Sequence, residues 1–228
     1  MSKPRALLSW SSGKDSAWAL HVLRQEAAYE IVGLVTTINA PAARVAMHAV
    51  RTPLLAGQAA AAGLPLWEVP IPSPCSNAQY EAAMTRVLQR ALAERVSAFA
   101  FGDLFLTDIR AYREKQLAGS GITPVFPLWM RPTQALAHEM IAGGLRAYLT
   151  CVDPQKLPCS FAGRPFTIEF LRDLPPGIDP CGENGEFHSF AWAGPMFAAD
   201  IPVAIGEIVE RDGFVFADLR PAVSGPEA

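Results

Sequence analysis

The sequence lacks a long apolar run, and it has no excess of basic charge. No stretch of its 228 residues approaches the roughly 20 consecutive apolar residues that a membrane-spanning helix needs. Half of the residues are hydrophobic and 18% are charged, which excludes a disordered chain, because disorder requires low hydrophobicity and high charge. The 19 basic residues do not outnumber the 22 acidic ones. Broad nucleic-acid binding usually needs a basic excess, so this balance argues against it.

Cysteine is also scarce, and its spacing excludes several kinds of site. No two cysteines form a C-x-x-C pair, which argues against a zinc ribbon, a thioredoxin-type centre and a disulfide framework; the four are Cys75, Cys151, Cys159 and Cys181. The apolar stretch near the N-terminus is too short for a secretory signal peptide. We therefore expect a protein of the reducing cytoplasm.

The first half of the chain alternates between two kinds of segment. Short apolar or β-branched runs predict strands over residues 5–10, 31–38, 66–71 and 98–101. Longer segments between and after them predict helices over residues 14–28, 46–62, 77–95 and 107–117. This alternation predicts right-handed βαβ units, and hence an α/β fold with a doubly wound parallel sheet.

The pattern changes after about residue 130. Prolines become frequent, predicted helices become fewer, and short strands such as residues 147–152 dominate. We therefore predict two domains, an α/β domain over residues 1–130 and a smaller C-terminal α+β domain over residues 131–228 that packs on the sheet. The last residues, 220–228, are expected to be frayed.

A run of small and polar residues, S-S-G-K-D-S at positions 11–16, lies between the first predicted strand and the first predicted helix. In a doubly wound sheet this turn opens onto the crevice where ligands bind. Small residues let the backbone approach a phosphate, and the helix that follows offers unpaired N–H groups and the positive end of its dipole. The hydroxyls of Ser11, Ser12 and Ser16 provide further hydrogen-bond donors, and Lys14 provides a positive charge. The run therefore predicts a phosphate-binding loop.

Two common nucleotide motifs are absent. The pair Gly13-Lys14 suggests a Walker A loop, but Leu8 stands where that motif needs its first glycine, and Asp15 where it needs Ser or Thr. The GxGxxG pattern of dinucleotide-binding proteins does not occur either. The alternative interpretation of the serines and glycine is a simple turn that caps the helix.

The run SSGKDS resembles the SGGxDS signature of the PP-loop ATP pyrophosphatases, with Ser12 in place of a glycine. Within that superfamily, other stretches are similar to the diphthine–ammonia ligase family. They are Met47-His48, Gly102-Asp103 with Arg110 and Glu114 after it, Pro127-Leu128-Trp129, and CGENGEFHSF at positions 181–190. The resemblance extends over roughly residues 5–200. It implies an adenine nucleotide alpha hydrolase-like (HUP-type) nucleotide-binding domain and a C-terminal substrate-binding domain.

The resemblance implies an ATP-dependent ligase that forms a C–N bond. In such an enzyme a carboxylate attacks the α-phosphorus of ATP, pyrophosphate leaves, and ammonia then displaces AMP to give an amide. ATP and Mg²⁺ are the implied cofactors. The substrate of the family is diphthine, a modified histidine on elongation factor 2. The resemblance leaves open whether the acceptor is another carboxylate, on a protein or on a small molecule. It also leaves open whether the chain forms a homodimer.

The resemblance and the loop together predict where ATP binds. The phosphates are expected on residues 11–16 and the adenine near the ends of the first two strands. The predicted nucleotide-binding residues are Ser9, Trp10, Ser11, Ser12, Gly13, Lys14, Asp15, Ser16, Thr36, Thr37, His48 and Gly102. Asp103 follows a predicted strand at the same edge of the sheet, so Asp15 and Asp103 are the predicted Mg²⁺ ligands.

The predicted catalytic residues are Asp15, Asp103, Glu183, Glu186 and His188. The two glutamates flank a glycine-containing turn, so their carboxylates can converge to bind a cation, hold ammonium or accept from a ribose. Apolar neighbours such as Phe187 and Phe190 make an idle carboxylate costly there. His188 is either a base for ammonium or a structural residue.

Three further candidates have simpler interpretations. Arg110 and Glu114 are four residues apart and can form a helical ion pair instead of a site. Cys181 has no basic cluster beside it, so we interpret it as a packing residue.

Two other functions share this fold. A tRNA-modifying PP-loop enzyme would need an RNA-binding surface and often paired catalytic cysteines, and neither is visible in the sequence. A non-catalytic nucleotide sensor would bind ATP without steady release of AMP and pyrophosphate.

Overall fold

The computed structural model describes residues 2–39, 44–45 and 50–222. The first part of the chain alternates strands and helices in the order β1 (Arg5–Ser9), α1 (Lys14–Glu26), β2 (Glu30–Asn39), β3 (Arg44–Val45), α2 (Thr52–Ala62), β4 (Leu66–Ile71), α3 (Asn77–Ala93), β5 (Val96–Ala100), α4 (Thr107–Leu117) and β6 (Thr123–Val125). The second part contains α5 (Thr133–Ala142), β7 (Arg146–Val152), a 3-10 helix (Cys159–Phe161), α6 (Ile168–Asp173), β8 (Phe187–Ala193), β9 (Val203–Arg211) and β10 (Phe214–Pro221).

The first sheet is the predicted doubly wound parallel sheet. Its parallel strands stand in the order β4-β2-β1-β5-β6, and the short β3 pairs antiparallel with β2. Because β1 and β5 are adjacent and parallel, with Leu8 beside Ala100, their carboxyl ends meet at one edge of the sheet. The loop after β1 and the residues after β5 therefore lie side by side, as expected.

Alternating side chains of β1 supply both faces of this sheet. Leu8 belongs to a large apolar cluster that includes Leu20 of α1, whereas Leu7 belongs to a second cluster with Val87 of α3 and Leu117 of α4. Consecutive strand residues point to opposite faces, and here both faces are covered by helices. This explains why the strand reads as a continuous apolar run.

The second part of the chain forms a smaller antiparallel sheet in the order β8-β7-β10-β9. Phe187 and Phe190 of β8 belong to the same large apolar cluster as Leu20 of α1, so the two sheets share one core through this helix. Backbone contacts add to the junction, since the Ala191 N–H donates to the Ser12 carbonyl at 3.0 Å. The predicted smaller α+β region is confirmed, but among the described residues it packs chiefly on helices α1 and α2 and not directly on the parallel sheet. The boundary after residue 130 stays a prediction.

Two of the predicted element boundaries need correction. The helix predicted over residues 46–62 begins at Thr52, with Arg51 as its N-cap and a proline in the first turn, a position that suits proline because its missing N–H needs no partner. Residues 46–49 lie outside the described part of the chain. Arg220 and Pro221 are not frayed, because they pair with Ala204 and Val203 in β10 and β9. Within residues 2–39, 44–45 and 50–222, no helix is long and apolar enough to span a membrane.

Candidate active site

The loop over residues 11–16 is a compact turn with its hydroxyls close together. The Ser11 and Ser16 Oγ atoms are 3.2 Å apart, and the Ser16 hydroxyl donates to the Gly13 carbonyl at 3.0 Å. The Gly13 N–H donates to the Ser11 Oγ at 3.3 Å. Gly13 is the N-cap of α1, so the loop leads directly to a helix N-terminus. This arrangement suits an anion.

Two adjacent cavities open at the carboxyl edge of the parallel sheet. The first, which we call the loop cavity, has a volume of about 270 Å³ and contains most of the predicted residues: Ser9, Ser11, Lys14, Asp15, Ser16, Gly102, Asp103, Glu183 and His188. The second, which we call the strand-end cavity, has a volume of about 580 Å³ and contains Ser9, Trp10, Ser11, Thr36, Thr37 and His188. The cavities are adjacent, because they share several wall residues: Ser9, Ser11, Phe101, Ile109, Arg113 and His188.

Gly102 sets how closely β5 approaches α1. A Cβ atom at this position would lie 3.0 Å from the Ser16 nitrogen and 3.1 Å from the Asp15 carbonyl carbon, closer than side chains pack on backbone. Only glycine lets the end of β5 contact the first turn of the helix in this way. The contact brings Asp103, the next residue, into the same cavity as Asp15.

Lys14 is buried inside the site and does not extend freely into it. Its side chain is 2% exposed, and its Nζ lies 2.8 Å from the Asp15 Oδ2 and also donates to the Cys181 carbonyl. Burial lowers the pKa of Lys14, but the Asp15 carboxylate and other acidic neighbours more than offset this, so that the net shift is upward. Burial likewise raises the pKa of Asp15 in spite of Lys14. The lysine charge is therefore already paired.

Asp103 faces Arg113 across a gap. The Asp103 Oδ2 and the Arg113 Nε are 3.7 Å apart, and both atoms are buried without a hydrogen-bond partner among the described atoms. Burial raises the pKa of Asp103; the Arg113 guanidinium opposes this, and the Asp15 carboxylate adds to it. The two side chains form a long ion pair in the cavity wall, and Arg113 also donates from its Nη1 to the Tyr80 hydroxyl at 3.3 Å.

Glu183 reaches the same cavity from the other end of the chain. Its Oε1 accepts from the Leu104 N–H at 2.7 Å, and so it contacts the segment that follows Asp103. Burial raises the pKa of Glu183 to about 7; the Leu104 hydrogen bond acts against this shift, and the negative charge of Asp15 adds to it. A carboxyl group with such a pKa exchanges its proton near neutral pH.

His188, at the start of β8, lines both cavities. Burial lowers the pKa of its imidazole to about 4, and the positive charge of Lys14 contributes to the shift. The ring is therefore neutral at physiological pH.

The profile of the diphthamide synthase N-terminal domain matches residues 4–123, and that of the diphthamide synthase C-terminal domain matches residues 132–220. The chain belongs to the diphthamide synthase family. Both matched regions contribute to the site, the first through residues 11–16 and Asp103, the second through Glu183 and His188.

Curated relatives of this diphthamide synthase family member are named diphthine–ammonia ligase. The protein of Rattus norvegicus is 30% identical over 105 residues, covering 43% of this chain and 39% of the relative. That of Homo sapiens is 28% identical over 134 residues, covering 55% and 49%, and that of Danio rerio is 32% identical over 120 residues, covering 50% and 47%. The chain thus spans about half the length, or less, of the curated relatives that it matches.

The structure does not bring Glu186 into the loop cavity of this family member. The residue is 3% exposed, and its Oε1 accepts from the Asp179 N–H and the Asn184 Nδ2, both at 3.1 Å. Its carboxylate lies beneath the turn and does not converge with Glu183 there. Glu186 thus stabilises the glycine-containing turn through these two buried hydrogen bonds.

Several other predicted residues contribute differently from what the sequence suggested. The Ser12 side chain is fully buried, and neither it nor Gly13 is among the residues that line the cavities. The Trp10 indole donates to the Gln58 Oε1 at 2.9 Å, and the Thr36 hydroxyl donates to the Trp10 carbonyl at 2.7 Å, so these polar groups are already occupied. His48 lies outside the described residues.

The simpler interpretations hold for Arg110 and Cys181. Arg110 forms a 2.7 Å ion pair with Glu114 on the surface of α4, and its guanidinium lies 4.7 Å from the ring centres of both Phe126 and Trp129. Burial raises the pKa of the Cys181 thiol well above its ordinary value, as expected for a packing residue.

Sequence reasoning missed two residues of this site, Arg113 and Gln58. Arg113 lines both cavities, and the available signal was its spacing of four residues from Ile109, which lines them too. Gln58 was the one strongly polar residue in the alanine-rich part of α2. A side-chain amide that is buried in a helix needs hydrogen-bond partners, so a glutamine at such a position indicates specific contacts.

Proposed function

We propose that this chain is an ATP-dependent carboxylate–amine ligase that splits ATP into AMP and pyrophosphate and joins ammonia to a carboxylate. The observation that carries the proposal is that one cavity in a member of the diphthamide synthase family brings together the following residues: Ser11, Lys14, Asp15, Ser16, Asp103 and Glu183. The name of the curated relatives makes diphthine the first acceptor to test. The four free cysteines support a reducing cytoplasm as the place of action.

In the first step, ATP binds with its phosphates in the loop cavity and its nucleoside in the strand-end cavity. The α-phosphate then lies where the two cavities adjoin, beside Arg113. A carboxylate oxygen of the acceptor attacks the α-phosphorus, the bond from this phosphorus to the bridging oxygen breaks, and pyrophosphate leaves. The Arg113 guanidinium, which lines both cavities, and the N-terminus of α1 stabilise the negative charge that develops.

Mg²⁺ fits the donors present at this position. The buried Asp103 Oδ2 has no hydrogen-bond partner among the described atoms, and Asp15 faces the same cavity with a second carboxylate. No group of three or more ligating side chains is arranged for a metal within the described ranges. This agrees with Mg²⁺ chemistry, because the ion usually binds to one or two carboxylates, substrate phosphates and water. When bound, it would neutralise charge on the phosphates, and Asp15 and Asp103 would hold it.

In the second step, Glu183 accepts a proton from ammonium. The lone pair of ammonia attacks the acyl carbon of the adenylate, the bond from this carbon to the phosphate oxygen breaks, and AMP leaves. The nitrogen loses its remaining extra proton to the phosphate of the departing AMP, which gives the neutral amide. With a pKa of about 7, Glu183 is a stronger proton acceptor than His188, whose pKa is about 4. Glu186 acts as a positioning residue, because it holds the turn that carries Glu183.

The decisive test analyses the products by phosphorus NMR after incubation with MgATP, ammonium and a diphthine-containing protein. AMP and pyrophosphate are expected, whereas ADP and orthophosphate would contradict the proposal. Binding of ATP with no release of either product would favour a sensor.

A variant tests the role of the loop. Asp15→Asn should reduce turnover about 100-fold or more, measured well below the thermal midpoint. It should also lower this midpoint, because the buried Lys14 charge loses its carboxylate partner. Asp212→Asn is the matched control, since its parent side chain is 87% exposed and far from the cavities in sequence. Near-normal turnover of Asp15→Asn would remove this carboxylate from the site.

A further inference from the structure

Gln58 connects three segments of the chain through its buried side-chain amide. The residue is 0% exposed. Its Nε2 donates to the Ser12 carbonyl at 2.9 Å and to the Ala191 carbonyl at 2.6 Å, and its Oε1 accepts from the Trp10 indole at 2.9 Å. The amide thus joins helix α2 to the phosphate-binding loop and to β8 of the second sheet.

The backbone that Gln58 contacts is in an unfavourable conformation. Ser12 has a φ of +69°, in the left-handed region that side chains other than glycine avoid. The Ser12 hydroxyl is buried without a partner among the described atoms, so the side chain does not compensate for this conformation. The Ser12 carbonyl, in contrast, accepts from the Gln58 amide and from the Ala191 N–H. Contacts to this carbonyl hold the loop in place.

The direction of the Ser12 carbonyl determines the direction of a donor on the other side of the loop. In a trans peptide, the C=O of one residue and the N–H of the next point in opposite directions. Because the Ser12 carbonyl points inward to Gln58, the Gly13 N–H points away from it. Its acceptor is the Ser11 Oγ, at 3.3 Å, and Ser11 lines both cavities.

We propose that Gln58 is a positioning residue for phosphate binding, which fixes the Ser12–Gly13 peptide so that the Gly13 N–H holds the Ser11 hydroxyl in the direction of the phosphates of ATP. Gln58 lines neither cavity, so it acts through the loop and not by contact with ATP. This inference rests on the proposed function, because it takes the nucleotide phosphates as the ligand of the loop. It adds a residue of α2 to the site.

The test compares the affinity for ATP with that for adenosine, which carries no phosphate, by isothermal titration calorimetry. Gln58→Met keeps an unbranched side chain of similar length but removes all three hydrogen bonds. We expect about tenfold weaker ATP binding, as the loss of a hydrogen-bonded loop conformation implies, and unchanged adenosine binding.

Leu55→Ala is the matched control, since Leu55 is equally buried in α2 and belongs to the apolar core. It should lower the thermal midpoint at least as much as Gln58→Met and leave ATP affinity unchanged. If Gln58→Met does not fold, Gln58→Asn replaces it, because asparagine stays neutral but is one methylene too short to reach both carbonyls.

Each result supports or overturns the inference. Selective loss of ATP affinity supports it. Equal loss of ATP and adenosine affinity, or unchanged ATP affinity, overturns it and leaves the proposed function intact. Wild-type protein that binds no ATP overturns the proposed function and this inference with it.

Discussion

Replacement of Glu183 by glutamine should change the pH dependence of the amide-forming step. The wild-type carboxyl group accepts the Leu104 N–H and titrates with a pKa of about 7 because it is buried. Glutamine keeps the shape and the Oε1 acceptor but cannot take up a proton from ammonium. The variant should therefore form the adenylate normally and amidate it slowly at every pH.

The expected size of the effect follows from this pKa. A carboxyl group with a pKa of about 7 is about 9% ionised at pH 6 and about 91% ionised at pH 8. Only the ionised form accepts a proton, so the contribution of Glu183 should rise about tenfold over this range and level off above it.

The assay is the ratio of wild-type to Glu183→Gln rates of amide formation from preformed adenylate, measured from pH 5.5 to 8.5 at fixed total ammonium. The variant can use only free ammonia, so its rate should rise about tenfold with each pH unit, whereas the wild-type rate should rise about tenfold in total between pH 6 and pH 8. The ratio of wild-type to variant rates should therefore fall as the pH rises. Glu207→Gln, an exposed change on β9, provides the control and should give a flat ratio. A flat ratio for Glu183→Gln would refute the reasoning, and equal damage to adenylate formation would instead assign Glu183 to the nucleotide or its metal.

Two further predictions concern the walls of the site. Arg113→Lys should slow adenylate formation about 100-fold in a pyrophosphate-release assay, because an ammonium group does not reproduce the guanidinium geometry. Arg110→Lys, one turn earlier and in a surface ion pair, should change the rate less than about twofold; equal effects would contradict the assignment. Gly102→Ala should destabilise the protein by about 1–3 kcal/mol in urea unfolding and reduce turnover, because its Cβ would press on the Ser16 backbone. Gly57→Ala, inside α2 with 3.4 Å to its nearest neighbour, should instead leave stability unchanged or raise it by up to about 1 kcal/mol, and the opposite order would refute this explanation.

The parts of the fold and site that depend on local sequence could be predicted. The alternation of apolar strands and helices predicts the parallel sheet, and adjacent parallel strands then place Asp103 beside residues 11–16. The same argument holds for Ser9, the last residue of β1, and for Thr37, near the end of β2, which both line the strand-end cavity. In each case the prediction needs only the direction of a strand and the residue that follows it.

The orientation of side chains that contact residues far away in the sequence could not be predicted. Arg110 and Arg113 are three residues apart on one helix, and only the packing of α4 on the sheet decides which of them faces the cavity. The partners of Gln58 lie 46 and 133 residues away, so no local pattern indicates them. The inward direction of Glu186 depends on the backbone of Asp179, which a turn pattern does not specify.

The junction of β8 with the phosphate-binding loop has a consequence for the spacing of this segment. Ser189 accepts from the Lys14 N–H and Ala191 donates to Ser12, while Glu183 and His188, a few residues earlier, face the cavity. One short stretch therefore contacts the loop over residues 11–16 and also carries Glu183, the proton acceptor of the proposed second step. A single-residue insertion or deletion between Glu183 and Ala191 would turn alternate strand side chains to the opposite face. The length of this stretch is thus constrained as strictly as its composition, and a variant of altered length should lose both half-reactions together.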